Sequence, residues 1–264
     1  MSSLAERLAA LEPVKTTARI LTIDIERLPG HTRLFDQRVR GGFIGINNWT
    51  KLPSLLCFAA KWYDTRSVEF AATWDSYDDM VLRSWQLYDE ADIVVTYNGR
   101  RFDNKHLRGA WLLAGLTPPR PWKDVDLFVS GAQFGFESRS LDHLCRRLGV
   151  QGKTGHYNMD EAEAAADGDV KAQRSLKRYN IGDVRATERV YDALRPWLTN
   201  HPHLGLYEDI DDAKCCNKCG SSDIVQDGYT YTALTKYALF RCQSCGGLVR
   251  ANNRKGNVAT RPVS

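Results

Sequence analysis

A short apolar run with two acids in it constrains this chain more than any other stretch. Residues 20–26 read Ile-Leu-Thr-Ile-Asp-Ile-Glu. Such a run, bounded by polar residues and rich in β-branched side chains, reads as a buried strand. Alternate residues of a strand share a face. Asp24 and Glu26 therefore sit side by side, with Ile23 and Ile25 turned the other way. Two carboxylates on a buried face repel each other and are costly to desolvate. A divalent cation removes both costs. The plainer alternative is a strand end, where Glu26 meets water beside Arg27. What decides between them is the chemistry that the rest of the chain brings to this strand.

The chain has 264 residues, 43% of them hydrophobic, enough to bury a sizeable core. No apolar run nears the roughly 20 residues that a membrane helix needs. Residues 2–12 read as a short amphipathic helix with Leu4, Leu8 and Leu11 on one face, and Glu6, Arg7 and Glu12 rule out a signal-peptide core. The expectation is a cytoplasmic protein with no membrane partner. The net charge of +4 is unevenly spread. From Ala213 onward there are eight Lys/Arg and two Asp/Glu, so the basic excess sits in the tail, where an anionic partner is expected.

Strands are expected over 54–63, 67–73, 92–97 and 125–127, and helices over 76–89, 104–113, 141–148, 160–166 and 169–195, with a break at Gly168. Residues 28–53 form a Gly- and Asn-rich excursion with no assignable element. Strands first and helices interleaved later give an α/β layered domain with a mixed sheet.

Two further acids stand out. Asp103, in Tyr97-Asn98-Gly99-Arg100-Arg101-Phe102-Asp103, follows a strand end, where α/β folds place their sites. It also suits a helix start. Tyr179 and Asp183 are four apart on a long helix and share a face. Each signal alone is weak. Together, Asp-x-Glu, Asn-x-x-x-Phe-Asp and Tyr-x-x-x-Asp, about 80 residues apart in that order, resemble the three motifs of the DEDD 3′–5′ exonuclease superfamily in its tyrosine-bearing branch. The Tyr-Asn-Gly-x-x-Phe-Asp form is most similar to the proofreading exonuclease domain of family B DNA polymerases and its stand-alone, partly phage-borne relatives. The position five before Asp183 is Arg178, which disfavours the histidine branch. The resemblance covers residues 18–195 and departs from the pattern in the 28–53 insertion.

That resemblance implies a ribonuclease-H-like mixed sheet flanked by helices and hydrolysis of phosphodiester bonds at nucleic-acid 3′ ends. It implies two Mg²⁺ or Mn²⁺ ions: Asp24 bridging both, Glu26 and Asp183 completing the site that activates water, and Asp103 holding the second ion through its waters. Tyr179 would orient the attacking water, since a phenol near pKa 10 is a poor base. Leu28, Asn98, Phe102 and Lys153 are candidate substrate contacts, Leu28 as a wedge between end bases or else a core leucine, and Phe102 as a base stack or else a core phenylalanine. Asp126 reads as a surface carboxylate, with support of the site from its rim as the alternative. DNA is preferred over RNA, and single-stranded DNA or a DNA 3′ end is the expected partner. Two other readings share these motifs: a nucleic-acid-binding or adaptor protein with an inactive nuclease core, and a structure-specific endonuclease or resolvase.

Five of the seven cysteines lie between 215 and 245. Cys216-x-x-Cys219 and Cys242-x-x-Cys245 are two knuckles separated by 22 residues, each followed by glycine. Four thiolates at this spacing suit one structural Zn²⁺ and leave no open position. The unit resembles a zinc ribbon; an iron–sulfur or redox role is the alternative, and Cys215 is a competing ligand for Cys216. Tyr229, Tyr231, Lys236, Tyr237, Arg241, Arg250, Arg254 and Lys255 interleave rings and charges, which suits nucleic acid. The competing role is docking to a replication or recombination protein. The expected organisation is a nuclease domain over 1–200, a linker over 201–212, the zinc ribbon over 213–250, and a basic, disordered tail over 251–264.

Overall fold

The computed structural model describes residues 17–34, 42–152, 155–208 and 214–260. The helix expected over 2–12 and Lys153 lie outside them. In chain order the main elements are β1 (Ile20–Leu28), β2 (His31–Thr32), β3 (Trp49–Lys51), β4 (Ser54–Trp62), β5 (Glu69–Ala72), α1 (Tyr77–Glu90), β6 (Ile93–Thr96), α2 (Asp103–Leu113) and β7 (Lys123–Asp126). The helices α3 (Leu127–Ser130), α4 (Leu141–Leu148), α5 (Met159–Ala166) and α6 (Val170–Leu194) follow, then the strands β8 (Ile224–Tyr231), β9 (Thr235–Cys242) and β10 (Leu248–Asn257).

The central sheet has the order β5-β4-β1-β6-β7. β1 runs antiparallel to β4 and parallel to β6, so the sheet is mixed. The acid-bearing strand is thus the middle one. Its alternation sorts its side chains between two layers. Leu21, Ile23 and Ile25 pack with Met80, Val81 and Leu87 of α1 and Leu107 and Trp111 of α2. On the other face Ile20 packs with Val190 and Tyr191, and Leu28 with Leu176 and Tyr179, all of α6. Asp24 and Glu26 lie on this α6 side, between two apolar clusters.

α6 is long because nothing interrupts it over 25 residues. Asp169 caps it by accepting the N–H groups of Lys171 and Ala172, and Gly168, at φ +101°, makes the break from α5. Its buried positions 172, 176, 179, 180, 183, 187, 190 and 194 follow helical spacing along one stripe. Lys61 and Glu188 close the gap to β4 with a 2.6 Å ion pair.

The 28–53 excursion contains a small two-stranded pairing, His31 opposite Lys51 and Thr32 opposite Trp49. The described part of the expected linker, 201–208, is not free chain: Leu204 is fully buried in the α6-side core and His201 is buried as well. The hydroxyl of Tyr191 is 2.7 Å from Nε2 of His201, while Nδ1 of that ring faces the Pro202 carbonyl at 2.7 Å. The expected disordered tail is likewise corrected over residues 251–257, and residues 261–264 lie outside the described ones. β10 continues through Asn257 because β9 offers it a hydrogen-bonding edge, with Arg254 opposite Tyr237 and Asn257 opposite Thr235. β8, β9 and β10 form a separate antiparallel sheet. Lys218 donates to the Pro196 carbonyl and Leu204 N–H to the Asn217 carbonyl at 3.0 Å, seating this unit on the end of α6.

Candidate active site and cysteine cluster

Carboxylate oxygens of Asp24, Glu26 and Asp183 lie within 4.8 Å of one another. β1 delivers the first two by alternation, and α6 crosses that face to deliver the third. Tyr179, one turn before Asp183, stands beside it on the same face of α6, close enough for each to act on the other's charge. Burial, then the negative charges of Asp183 and Glu26, hold the phenol far above its ordinary range, so it stays protonated. The one-turn spacing seen in the sequence therefore becomes a contact.

Asp103 is placed differently. β6 pairs with β1 only as far as Thr22, which leaves the later N–H groups of β1 without that neighbour. Asp103 Oδ1 accepts the Ile25 N–H at 3.1 Å in their place. It stands outside the three-carboxylate group yet is the largest charge acting on Asp24. Burial first, then Asp103, Glu26 and Asp183, push Asp24 well above the usual carboxylate range. Burial also pushes Asp103 up to about 7, against the pull of the Ile25 N–H and its own. The site holds acids where acids are unwelcome. Hard carboxylate oxygens crowded this way fit Mg²⁺ or Mn²⁺ and relieve their repulsion by binding it.

The supports of these acids were less visible in the sequence. Asn180, between Tyr179 and Asp183, donates from Nδ2 to Asp24 Oδ2 at 2.7 Å and to the Asp24 carbonyl at 3.3 Å. Nothing in its spacing marks it, since an Asn on a buried helix face has many uses. Asp126 is buried, not a surface residue. It accepts the N–H groups of Asn98 at 2.9 Å, Arg100 at 3.1 Å and Phe128 at 3.0 Å, so it pins the loop that carries Asp103. Asn98 adopts φ +70°, a left-handed turn that Asn tolerates. A Cβ on Gly99 would come 2.4 Å from Thr96 Oγ1, so only glycine fits next to it. Asn104 accepts from Tyr88 at 2.7 Å and donates to Asp124 at 3.0 Å, fixing the first turn of α2.

Among the candidate substrate contacts, Phe102 is 38% exposed and meets His106 edge-on at 4.7 Å. Leu28 is corrected: it is buried beside Leu56, Cys57 and Tyr179, and a packed core side chain cannot wedge between bases.

The cysteine unit gathers Cys216, Cys219, Cys242 and Cys245 within the same 4.8 Å limit. Cys216–Cys245 and Cys219–Cys242 sulfurs are each 3.6 Å apart. A disulfide needs ~2.05 Å, whereas four sulfurs about 2.3 Å from a tetrahedral Zn²⁺ stand ~3.8 Å apart. The set fits zinc. Gly220 and Gly246 both take φ near the left-handed region, at +73° and +75°, and their N–H groups return to the Cys216 and Cys242 carbonyls at 2.9 Å. Cys215 is not in the cluster; its sulfur faces Gly205, where a Cβ would approach it to 2.5 Å.

Sequence likeness bears on the fold of the larger domain. Residues 51–195 fit the family model described as RNase_H superfamily, more than half of the chain. The chain belongs to the RNase_H superfamily. No curated protein matches the chain. The matched stretch contains Asp103, Tyr179 and Asp183, while Asp24 and Glu26 precede it. This RNase H-like domain therefore meets the acidic pair of β1 across its own sheet. Among the described residues, no helix is long and apolar enough to cross a membrane.

Proposed function

We propose that this chain is a metal-dependent 3′–5′ exonuclease that removes nucleotides from nucleic-acid 3′ ends, DNA in preference to RNA. The observation that carries the reading is the convergence of Asp24, Glu26 and Asp183 on one side of β1, with Tyr179 beside Asp183. Membership of a superfamily whose members are usually nucleic-acid hydrolases supports the reaction class. The 3′–5′ polarity and the DNA preference rest on the motif resemblance.

Two Mg²⁺ or Mn²⁺ ions, held by Asp24, Glu26 and Asp183 with Asp103 beside them, would supply an activated water and a place for charge on the leaving oxygen. The protein's own groups do the positioning. Asn180 fixes one oxygen of Asp24 and so turns the other toward its acidic neighbours. The Tyr179 hydroxyl stays protonated beside Asp183, and its oxygen can accept a hydrogen bond from a water. The phenol cannot act as the base, because its environment resists ionisation. Asp103 ties the start of α2 to β1 and sets a further acid beside Asp24. Exposed Phe102 and the turn at Asn98, on the loop that carries Asp103, offer a surface for a terminal nucleotide. The four-cysteine unit is read as a zinc ribbon.

The test is digestion of single-stranded DNA and RNA labelled at either end, with Mg²⁺ or Mn²⁺. The reading expects mononucleotides released from the 3′ end and no cleavage of a circular strand. Equal activity in wild type and Asp24→Ala would end it, and cutting of the circle would turn it toward an endonuclease.

A further inference from the structure

The strand register of the cysteine unit sorts its charged and aromatic residues between two faces. Residues directly opposite in an antiparallel pair share a face. Tyr237 stands opposite Arg254, Leu239 opposite Arg250, and Arg241 opposite Leu248. The other face holds Lys236 opposite Tyr231, Ala238 opposite Tyr229, and Phe240 opposite Gln226. All three arginines of this sheet therefore line one side, and two tyrosines with one lysine line the other.

The arginine face is ordered. The Arg250 guanidinium lies over the Tyr237 ring at 4.3 Å, and Arg241 is held by Asp227 at 2.7 Å. The face also runs into a cleft. Arg241 and Leu248 share with Trp197, Thr199, Gln243 and Ser244 the lining of a cavity of about 870 Å³ between this sheet and the end of α6. Trp197 is 66% exposed there, braced edge-on by Phe134 at 6.2 Å. Residues 214–260 contain seven Lys/Arg and only two acids, Asp223 and Asp227.

We infer that single-stranded nucleic acid lies along this arginine face, its phosphates on Arg250 and Arg254 and a base on Trp197. This deepens the nuclease reading above and rests on it for the class of ligand. Planar guanidiniums suit phosphates, and an open indole offers a stacking surface that tolerates any base. A protein partner would need a dry apolar centre. The centre of this face is instead a guanidinium over a phenol ring. The tyrosine face, which the sequence counted in the same grip, is left out of it.

The experiment uses the full-length Asp24→Asn chain, so that the probe survives, and a fluorescent oligo-dT of some 20 nucleotides. Affinity is measured from 50 to 200 mM salt. R250Q/R254Q is expected to bind more weakly and to lower the log–log salt slope by about 1.4, at roughly 0.7 per phosphate contact on a single strand. Trp197→Ala is expected to weaken binding about tenfold or more at every salt concentration. Y229S/Y231S on the opposite face is expected to bind as the parent does. A wild-type slope in R250Q/R254Q, as a protein-docking role for this face would give, overturns the inference. So does an equal loss in Y229S/Y231S. Zinc content of each variant confirms that the unit is intact. Hydrolysis of bis(p-nitrophenyl) phosphate by the wild-type chain separates the two claims, since so small a diester cannot span to this face. If that hydrolysis is absent while the salt effects hold, the nuclease reading fails and the binding track stands.

Discussion

The carboxylates of Asp24, Glu26 and Asp183 and the sulfurs of the four cysteines are both packed within 4.8 Å, yet the protein supports them in opposite ways. The acids sit on a strand and a helix already fixed by three apolar clusters. The cysteines have almost no other core: their own cluster adds only Ile224 and Val249. In one case the fold makes the site, and in the other the site must make the fold. A closed thiolate set is a structural device, whereas a crowded acidic set costs stability until a cation arrives.

The strongest test of that contrast is Cys219→Ser. Structural zinc sites contribute roughly 10–16 kcal/mol of apparent binding energy, so residues 214–260 should lose zinc and become protease-sensitive. The RNase H-like domain should still melt cooperatively. If the unit stays protected without zinc, the contrast collapses. Asp24→Ala should lower hydrolysis by at least about 10³-fold, near 4 kcal/mol, while its melting temperature holds or rises. Tyr179→Phe, which removes only the hydroxyl beside Asp183, should cost about 10²-fold in kcat with KM unchanged; a fall in KM instead would point to substrate strain. Asn180→Ala frees Asp24 and should cost about tenfold, as loss of a supporting hydrogen bond to a metal-binding group does. A matching drop in Mn²⁺ affinity would tie that loss to positioning.

The smallest effect concerns pH. Asp103 ionises near pH 4 in an unfolded chain and near 7 in the fold. Between those values the folded, metal-free protein holds a proton that the unfolded chain has released. Its stability should therefore fall as pH climbs from about 4 to about 7. Asp103→Asn keeps an acceptor for Ile25 and should flatten that fall, melting a few degrees higher at pH 8. A wild-type pH profile in this variant would place the acid penalty elsewhere.

Much of the sheet was legible because alternation and helical spacing are local. The apolar runs of β4 and β6 and the stripe of α6 follow directly from residue order, and so does the pairing of Tyr179 with Asp183. What was hidden depends on partners distant in sequence. Asp126 looks like a surface acid until two N–H groups from the loop after β6 turn toward it. Leu28 reads as either a wedge or a core side chain until its packing with Tyr179 decides for the core. Polar 251–257 looks shapeless because a strand that gains its order from a neighbour's edge needs no apolar pattern of its own. Residues 201–208 read as linker, since one buried Leu204 is too little to signal packing.

α6 and the short turn after it carry Asp183 near the middle and Trp197 at the end. At 1.5 Å per helical residue, and slightly more in the closing turn, those two side chains are about 20 Å apart along a rigid rod. That rod is a ruler. A strand engaging both ends must cover about six stacked nucleotides. Trimming would therefore proceed with two handholds until the remnant grows too short for the far one, and the last few nucleotides would leave by a different rate law from the first.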